Sequence, residues 1–136
     1  MIPDSIDSPS HEGAEAQTRK FQRELSAGLT SLVLLSVLSE ATDDLYGYEI
    51  ARRLGGEGGR ASPFKLGALY PVLRNMSASG LLSSRVVPSY SGPPRRYYRI
   101  TPLGREVLQT WRATWHDTRA FVDSIVHRPS APETSP

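Results

Sequence analysis

Apolar residues take up helical spacing from Phe21 onward. Phe21, Leu25, Leu29 and Leu32 follow at intervals of four, four and three, which predicts a helix over 18–41 with these residues on one stripe. From Leu32 to Leu38 the apolar positions spread around the cylinder, so that half is expected to be buried on several sides. Thr42-Asp43-Asp44 breaks the pattern and offers oxygens to the free N–H groups of a second helix, Leu45–Leu54. Its apolar positions are Leu45, Tyr48, Ile50, Ala51 and Leu54, and Tyr48 is expected in the core. The glycines of 55–59 predict a loop. A third helix is expected to start between Ser62 and Lys65 and to run to Ser79, with Leu66, Leu69, Leu73 and Met76 inward. Ser62-Pro63 suits a cap and first position, and Gly80 suits a stop. Pro71 removes a hydrogen bond and crowds the Gly67 carbonyl, a penalty that is smallest near a helix start.

The period then changes from helical to alternating. Leu81–Val87 and Arg95–Thr101 predict two strands of a hairpin joined by the exposed segment 88–94. In the second strand Tyr98 and Ile100 share one face, while Arg95, Tyr97 and Arg99 share the other. Thr101-Pro102 caps and opens a last helix. On it Leu108, Trp111, Trp115, Thr118, Val122 and Ile125 follow intervals of three, four, three, four and three, the seam of a helix packed lengthwise on a partner. Three helices, a hairpin and a long final helix predict a mainly α fold with a small two-stranded β wing. This is a winged helix–turn–helix followed by a dimerisation helix. The expected divisions are a disordered acidic tail at 1–17, the DNA-binding domain at 18–101, the dimerisation helix at 102–128 and a disordered tail at 129–136.

Charge sharpens this picture. The chain has a net charge of only +2, yet 58–105 holds no Asp or Glu. The same stretch carries Arg60, Lys65, Arg74, Arg85, Arg95, Arg96, Arg99 and Arg105. It covers the third helix and the hairpin, so a polyanion could lie on both without like-charge repulsion. No cysteine is present, which excludes thiol chemistry and disulfides. His116 and His127 lack ligand spacing, so no metal and no cofactor are expected. Neither a catalytic triad nor a phosphate-binding glycine loop is suggested, and the chain is not expected to be an enzyme. No signal-peptide pattern or membrane-length apolar run is seen, which predicts a soluble cytoplasmic protein.

The residues also resemble a known family. Tyr46-Gly47-Tyr48-Glu49-Ile50, Gly67-Ala68-Leu69-Tyr70-Pro71-Val72-Leu73, Gly80-Leu81-Leu82 and the run from Gly92 to Gly104 (GPPRRYYRITPLG) are similar, in order and spacing, to the PadR family of bacterial transcriptional regulators. The resemblance covers about residues 25–126 and is closest to the small subfamily with one C-terminal helix. It implies a homodimer that binds double-stranded DNA at a pseudo-palindromic operator, most often as a repressor. It also implies that Tyr46 and Gly47 face the DNA backbone, that Lys65, Ala68 and Tyr70 face the groove and nearby phosphates, and that Gly92, Arg95 and Arg96 form the wing tip at the minor groove. Many members have Ser or Thr in place of Ala68. A Trp at the position of Trp115 resembles an effector site in the small subfamily, where two flat aromatics near their symmetry mates could hold a planar aromatic molecule. Trp111 would either join that site or fill it. Ordinary dimer packing of both tryptophans stays open at this level. So do a winged-helix module that binds protein without DNA and a sensor of multidrug or phenolic ligands.

Overall fold

In the computed structural model the described residues are 4–55 and 63–128. The expectations on Gly56–Gly59, Arg60, Ser62 and the tail 129–136 lie outside them, as does the side chain of Leu66. The elements run α1 (Asp4–Glu40), β1 (Leu45–Tyr46), α2 (Gly47–Leu54), α3 (Leu66–Ala78), β2 (Leu82–Ser89), β3 (Gly92–Ile100) and α4 (Pro102–Val126). This is the expected helix–turn–helix and wing followed by one long helix. The wing, however, has three strands in the order β1-β3-β2, all antiparallel.

The third strand corrects the start of the second helix. Leu45 and Tyr46 are not helical. They pair with Tyr98 and Tyr97 of β3, which satisfies part of that strand's second edge. The helix begins at Gly47, and Glu49 reaches back to accept the Tyr46 N–H at 3.2 Å. Asp44 is therefore released from the capping role the sequence suggests. Tyr48 lies about 200° around the helix from buried Ile50 and is 58% exposed, not core. A second correction concerns the N-terminus. The helix expected from Thr18 begins at Asp4, so residues 4–17 are helical. Residues 11–25 are exposed, so packing within the chain does not hold this part. From Ala14 onward it extends a helix already nucleated by its buried half, through Glu, Ala and Gln with high helix propensity and through His11–Glu15 and Lys20–Glu24 pairs, whereas Pro9 and Gly13 oppose the helix in its first turns.

One core joins every element. Leu34, Leu35 and Leu38 of α1 meet Leu45, Ile50, Leu69, Leu73, Met76, Leu82, Tyr98, Ile100 and Leu108. The stripe of α3 and the inward face of β3 fall where the spacing puts them. Burial pushes the Tyr98 phenol up, against the opposing fields of Arg96 and Arg74, so it stays neutral. Pro71 sits in the second turn of α3 on the exposed side, where the Gly67 carbonyl it leaves unpaired can meet water.

The end of α3, the hairpin and the start of α4 meet at one junction. Gly80 takes a φ of +82°, and the Leu81 and Gly80 N–H groups close on the Met76 and Ser77 carbonyls at 2.9 and 3.1 Å. That pattern needs a left-handed residue, which glycine adopts without steric cost. The Thr101 hydroxyl donates to the Gly80 carbonyl at 2.6 Å and accepts the Gly104 N–H at 2.9 Å. It thereby caps α4 and ties it to the end of α3.

Candidate nucleic-acid interface

The face of α3 opposite its core stripe carries Gly67, Pro71, Arg74, Asn75 and Ala78, all exposed. Lys65 and Ala68 are exposed on the flank toward α1. Tyr70 is on the other flank, 37% exposed, toward α2. The three α3 residues named from the sequence are thus not one cluster but border a common outer face. Arg74, already noted in the basic stretch, and Asn75, not singled out from the sequence, are polar side chains in the middle of that face. Their place opposite Leu69, Leu73 and Met76 is the signal that could have put both there.

At Gly47 the start of α2 stands against Tyr70 of α3. A Cβ there would stand 2.5 Å from Tyr70 Cε1 and 3.0 Å from its hydroxyl. Glycine lets the N–H groups at the start of α2 sit beside the Tyr70 ring as it stands; a Cβ would require the ring to turn aside. Just before it, the Tyr46 ring lies 6.3 Å from that of Tyr48, nearly parallel, and 5.5 Å from that of Tyr97 on the wing. The Arg95 guanidinium covers Tyr46 at 4.6 Å, and that of Arg85 covers Tyr97 at 5.3 Å. Cation–π attraction of this kind holds a guanidinium in place without neutralising it.

The hairpin is longer than expected. The strands extend to Ser89 and Gly92, leaving Tyr90 and Ser91 as the tip, with an irregularity between Val87 and Ser89. Segment 88–94 is therefore mostly strand. Pro93 and Pro94 turn their nitrogens to opposite edges: one meets the edge that β1 leaves open, and the other falls at the irregularity between Val87 and Ser89 of β2. Gly92 is at the tip, but Arg95 and Arg96 are within β3 on opposite faces. Arg95 folds toward Tyr46, and Arg96 donates to the Ser84 hydroxyl at 3.1 Å.

Two of the basic residues are already engaged. Asp44, which precedes β1, accepts from Arg85 at 2.9 Å and also from Arg99. Its carboxyl is held below its ordinary range, first by the Arg85 hydrogen bond. Burial opposes this and Arg99 reinforces it. Arg85 and Arg99 therefore belong to the base of the wing, whereas Arg74, Arg95 and Arg96 have no carboxylate partner among the described residues.

At the far side, α4 leaves the core after Leu108. Trp111 is half-buried, and Trp115 is 38% exposed. Both line a cleft of about 740 Å³ between α4 and α1, together with Phe21, Leu25, Leu29 and Val122. Arg105 and Arg112 approach the last turn of α1 through the Ser39 carbonyl and hydroxyl, at 3.4 and 3.3 Å, where the helix dipole favours cations.

These features define a winged helix–turn–helix protein with a basic wing, a glycine-tight contact between its second and third helices, and an apolar C-terminal helix. The model of the transcriptional regulator PadR-like family matches residues 34–110, more than half of the chain, and the chain belongs to that family. It is 41% identical over 93 residues to the transcriptional regulator Rv3488 of Mycobacterium tuberculosis, covering 66% of this chain and 75% of that protein. Its fold is similar to a PadR family transcriptional regulator from Eggerthella lenta, with a TM-score of 0.69 and 29% identity over 87% of this chain and 99% of that one. A PadR-like regulator from Bacillus cereus gives a TM-score of 0.62 and 26% identity over 79% and 99%. The protein is a transcriptional regulator and not an enzyme. Among the described residues no helix is long and apolar enough to cross a membrane.

Proposed function

We propose that the chain acts in the cytoplasm as a homodimeric repressor that binds double-stranded DNA at a pseudo-palindromic operator and is released by a small molecule. The observation that carries the DNA-binding reading is an unbroken path of contacts, Tyr70–Gly47–Tyr46–Arg95, which joins α3, the start of α2 and the wing into one surface. In this reading α3 enters the major groove with Lys65, Ala68 and Tyr70 at its borders and Arg74 and Asn75 at its centre. The N–H groups at Gly47 hold a phosphate. The wing, with Gly92 at its tip, lies over the minor groove and offers Arg95 and Arg96 to the two flanking strands. The Arg95→Ala/Arg96→Ala double variant is expected to weaken specific and random DNA alike and to flatten the dependence of log K on log salt by about two. A mobility-shift titration with an unchanged slope would remove the wing from the interface.

The cleft beside Trp115 supports a planar aromatic effector. Its walls are apolar, and its outer rim is open where a symmetry-related helix would close it. Such a ligand releases DNA only if it prefers the DNA-incompetent dimer. A panel of planar aromatics is expected to quench tryptophan fluorescence in the wild type and to lose both quenching and DNA release in Trp115→Ala. Release that survives the substitution places the effector elsewhere.

A further inference from the structure

On the opposite flank of α1 lies a second cleft, of about 590 Å³, between that helix and the start of α3. Its chemistry differs from that of the Trp115 cleft. The apolar part is Ala27, Phe64, Ala68 and Leu69. At its edge stand three cations, Arg19, Arg23 and Lys65, and among the described residues no carboxylate lines it. Of the nearest acids of α1, Glu24 lines the Trp115 cleft and pairs with Lys20, while Glu15, one turn before Arg19 on the same face, is outside the lining and pairs with His11. Thr30, the buried polar residue at the cleft, already donates its hydroxyl to the Ser26 carbonyl at 2.6 Å. The site thus combines an apolar body of ligand size with a one-sided positive rim. Lys65 is also the N-cap of α3, so the free N–H groups and positive dipole end of that helix lie at the same edge.

We propose that this cleft binds an amphipathic organic anion, a compact apolar body ending in a carboxylate or phosphate, and that the bound anion competes with DNA for Lys65. The apolar body covers Ala27, Phe64 and Leu69, and the anionic head meets Arg19, Arg23 and Lys65. One ammonium cannot serve a ligand head and a DNA phosphate at full strength together, so occupancy lowers DNA affinity without any rearrangement of the dimer. The competition, but not the binding itself, rests on the DNA-binding reading above.

The test uses the full chain and isothermal titration calorimetry with decanoate, decyl phosphate and decyltrimethylammonium, each kept below its micelle concentration. Decanoate or decyl phosphate is expected to bind, and the stronger of the two identifies the head group. The cationic amphiphile is expected not to bind. Arg19→Gln/Arg23→Gln should bind about tenfold more weakly through loss of charge-assisted contacts. Ala27→Trp, which fills the cleft from an exposed position on α1, should abolish binding with its circular dichroism unchanged. Failure of both anions to bind, equal binding of the cation, or binding that survives Ala27→Trp overturns the site. In a parallel mobility-shift assay, saturating anion should raise the DNA half-saturation concentration of the wild type and not that of Ala27→Trp. Anion binding with no change in DNA retention overturns the competition. Absence of DNA binding by the ligand-free protein sinks the DNA reading instead, while calorimetry still decides the cleft.

Discussion

Gly104→Ala is expected to cost roughly 1–3 kcal/mol of folding stability, the range of an overpacked site. Gly104 is buried in the first turn of α4. A Cβ there would run into the Leu81 carbonyl oxygen and stand 2.8 Å from Ile100 Cγ1. The carbonyl is held in place, because it already accepts the Thr101 N–H at 3.1 Å. Moving α4 outward instead would pull the Gly104 N–H from the Thr101 hydroxyl and Leu108 from the core. Alanine gains at most about 1 kcal/mol in helix propensity, which does not offset this. Denaturant unfolding of the two proteins measures the difference. A loss below about 0.5 kcal/mol would show that the junction yields.

Val122→Glu is expected to convert the proposed dimer to a monomer at micromolar concentration and to weaken operator binding by about a hundredfold or more. The second half-site contact then loses its effective concentration, which is of millimolar order when the two copies are joined. The apolar residues on the outer half of α4 are exposed in the single chain: Trp115, Phe121, Val122, Ile125 and Val126, of which Trp115, Val122 and Val126 line the cleft with Phe21 and Leu25 of α1. So many exposed apolar side chains on one helix are the mark of an interface, and a second copy is the partner always at hand. A carboxylate at its centre would be buried without a partner in the dimer and solvated in the monomer. Light scattering that finds the wild type monomeric, or the variant dimeric, contradicts this assembly.

What the sequence revealed follows from which forces are local. The inward stripe of α3 and the division of β3 into Tyr98 and Ile100 against Arg95 and Arg99 were legible because burial imposes its period on neighbouring residues. The Thr101 cap was legible because the capping bond to Gly104 lies within one turn, although its bond to Gly80 does not. Strand β1 was not, because two residues carry no alternation and their pairing is with a segment far along the chain. The helical 4–17 segment was hidden because its composition suits both an acidic tail and a solvated helix. At the candidate interface the types and general positions of the residues were visible, but their engagement was not. Arg85 and Arg99 find Asp44 across 41 and 55 positions of sequence. Nothing near Gly47 in the chain announces Tyr70, and nothing near Tyr46 announces Arg95.

The shared carboxylate of Asp44 has a thermodynamic consequence. Arg85 belongs to β2 and Arg99 to β3, so one anion next to β1 grips both strands at the root of the hairpin. A two-stranded ribbon without such an anchor would swing and twist about its base, and docking it on a partner would forfeit that freedom. Here much of the ordering is completed when the domain folds. The root of the wing arrives preorganised, and the entropy lost on docking is concentrated in the short tip at Tyr90 and Ser91.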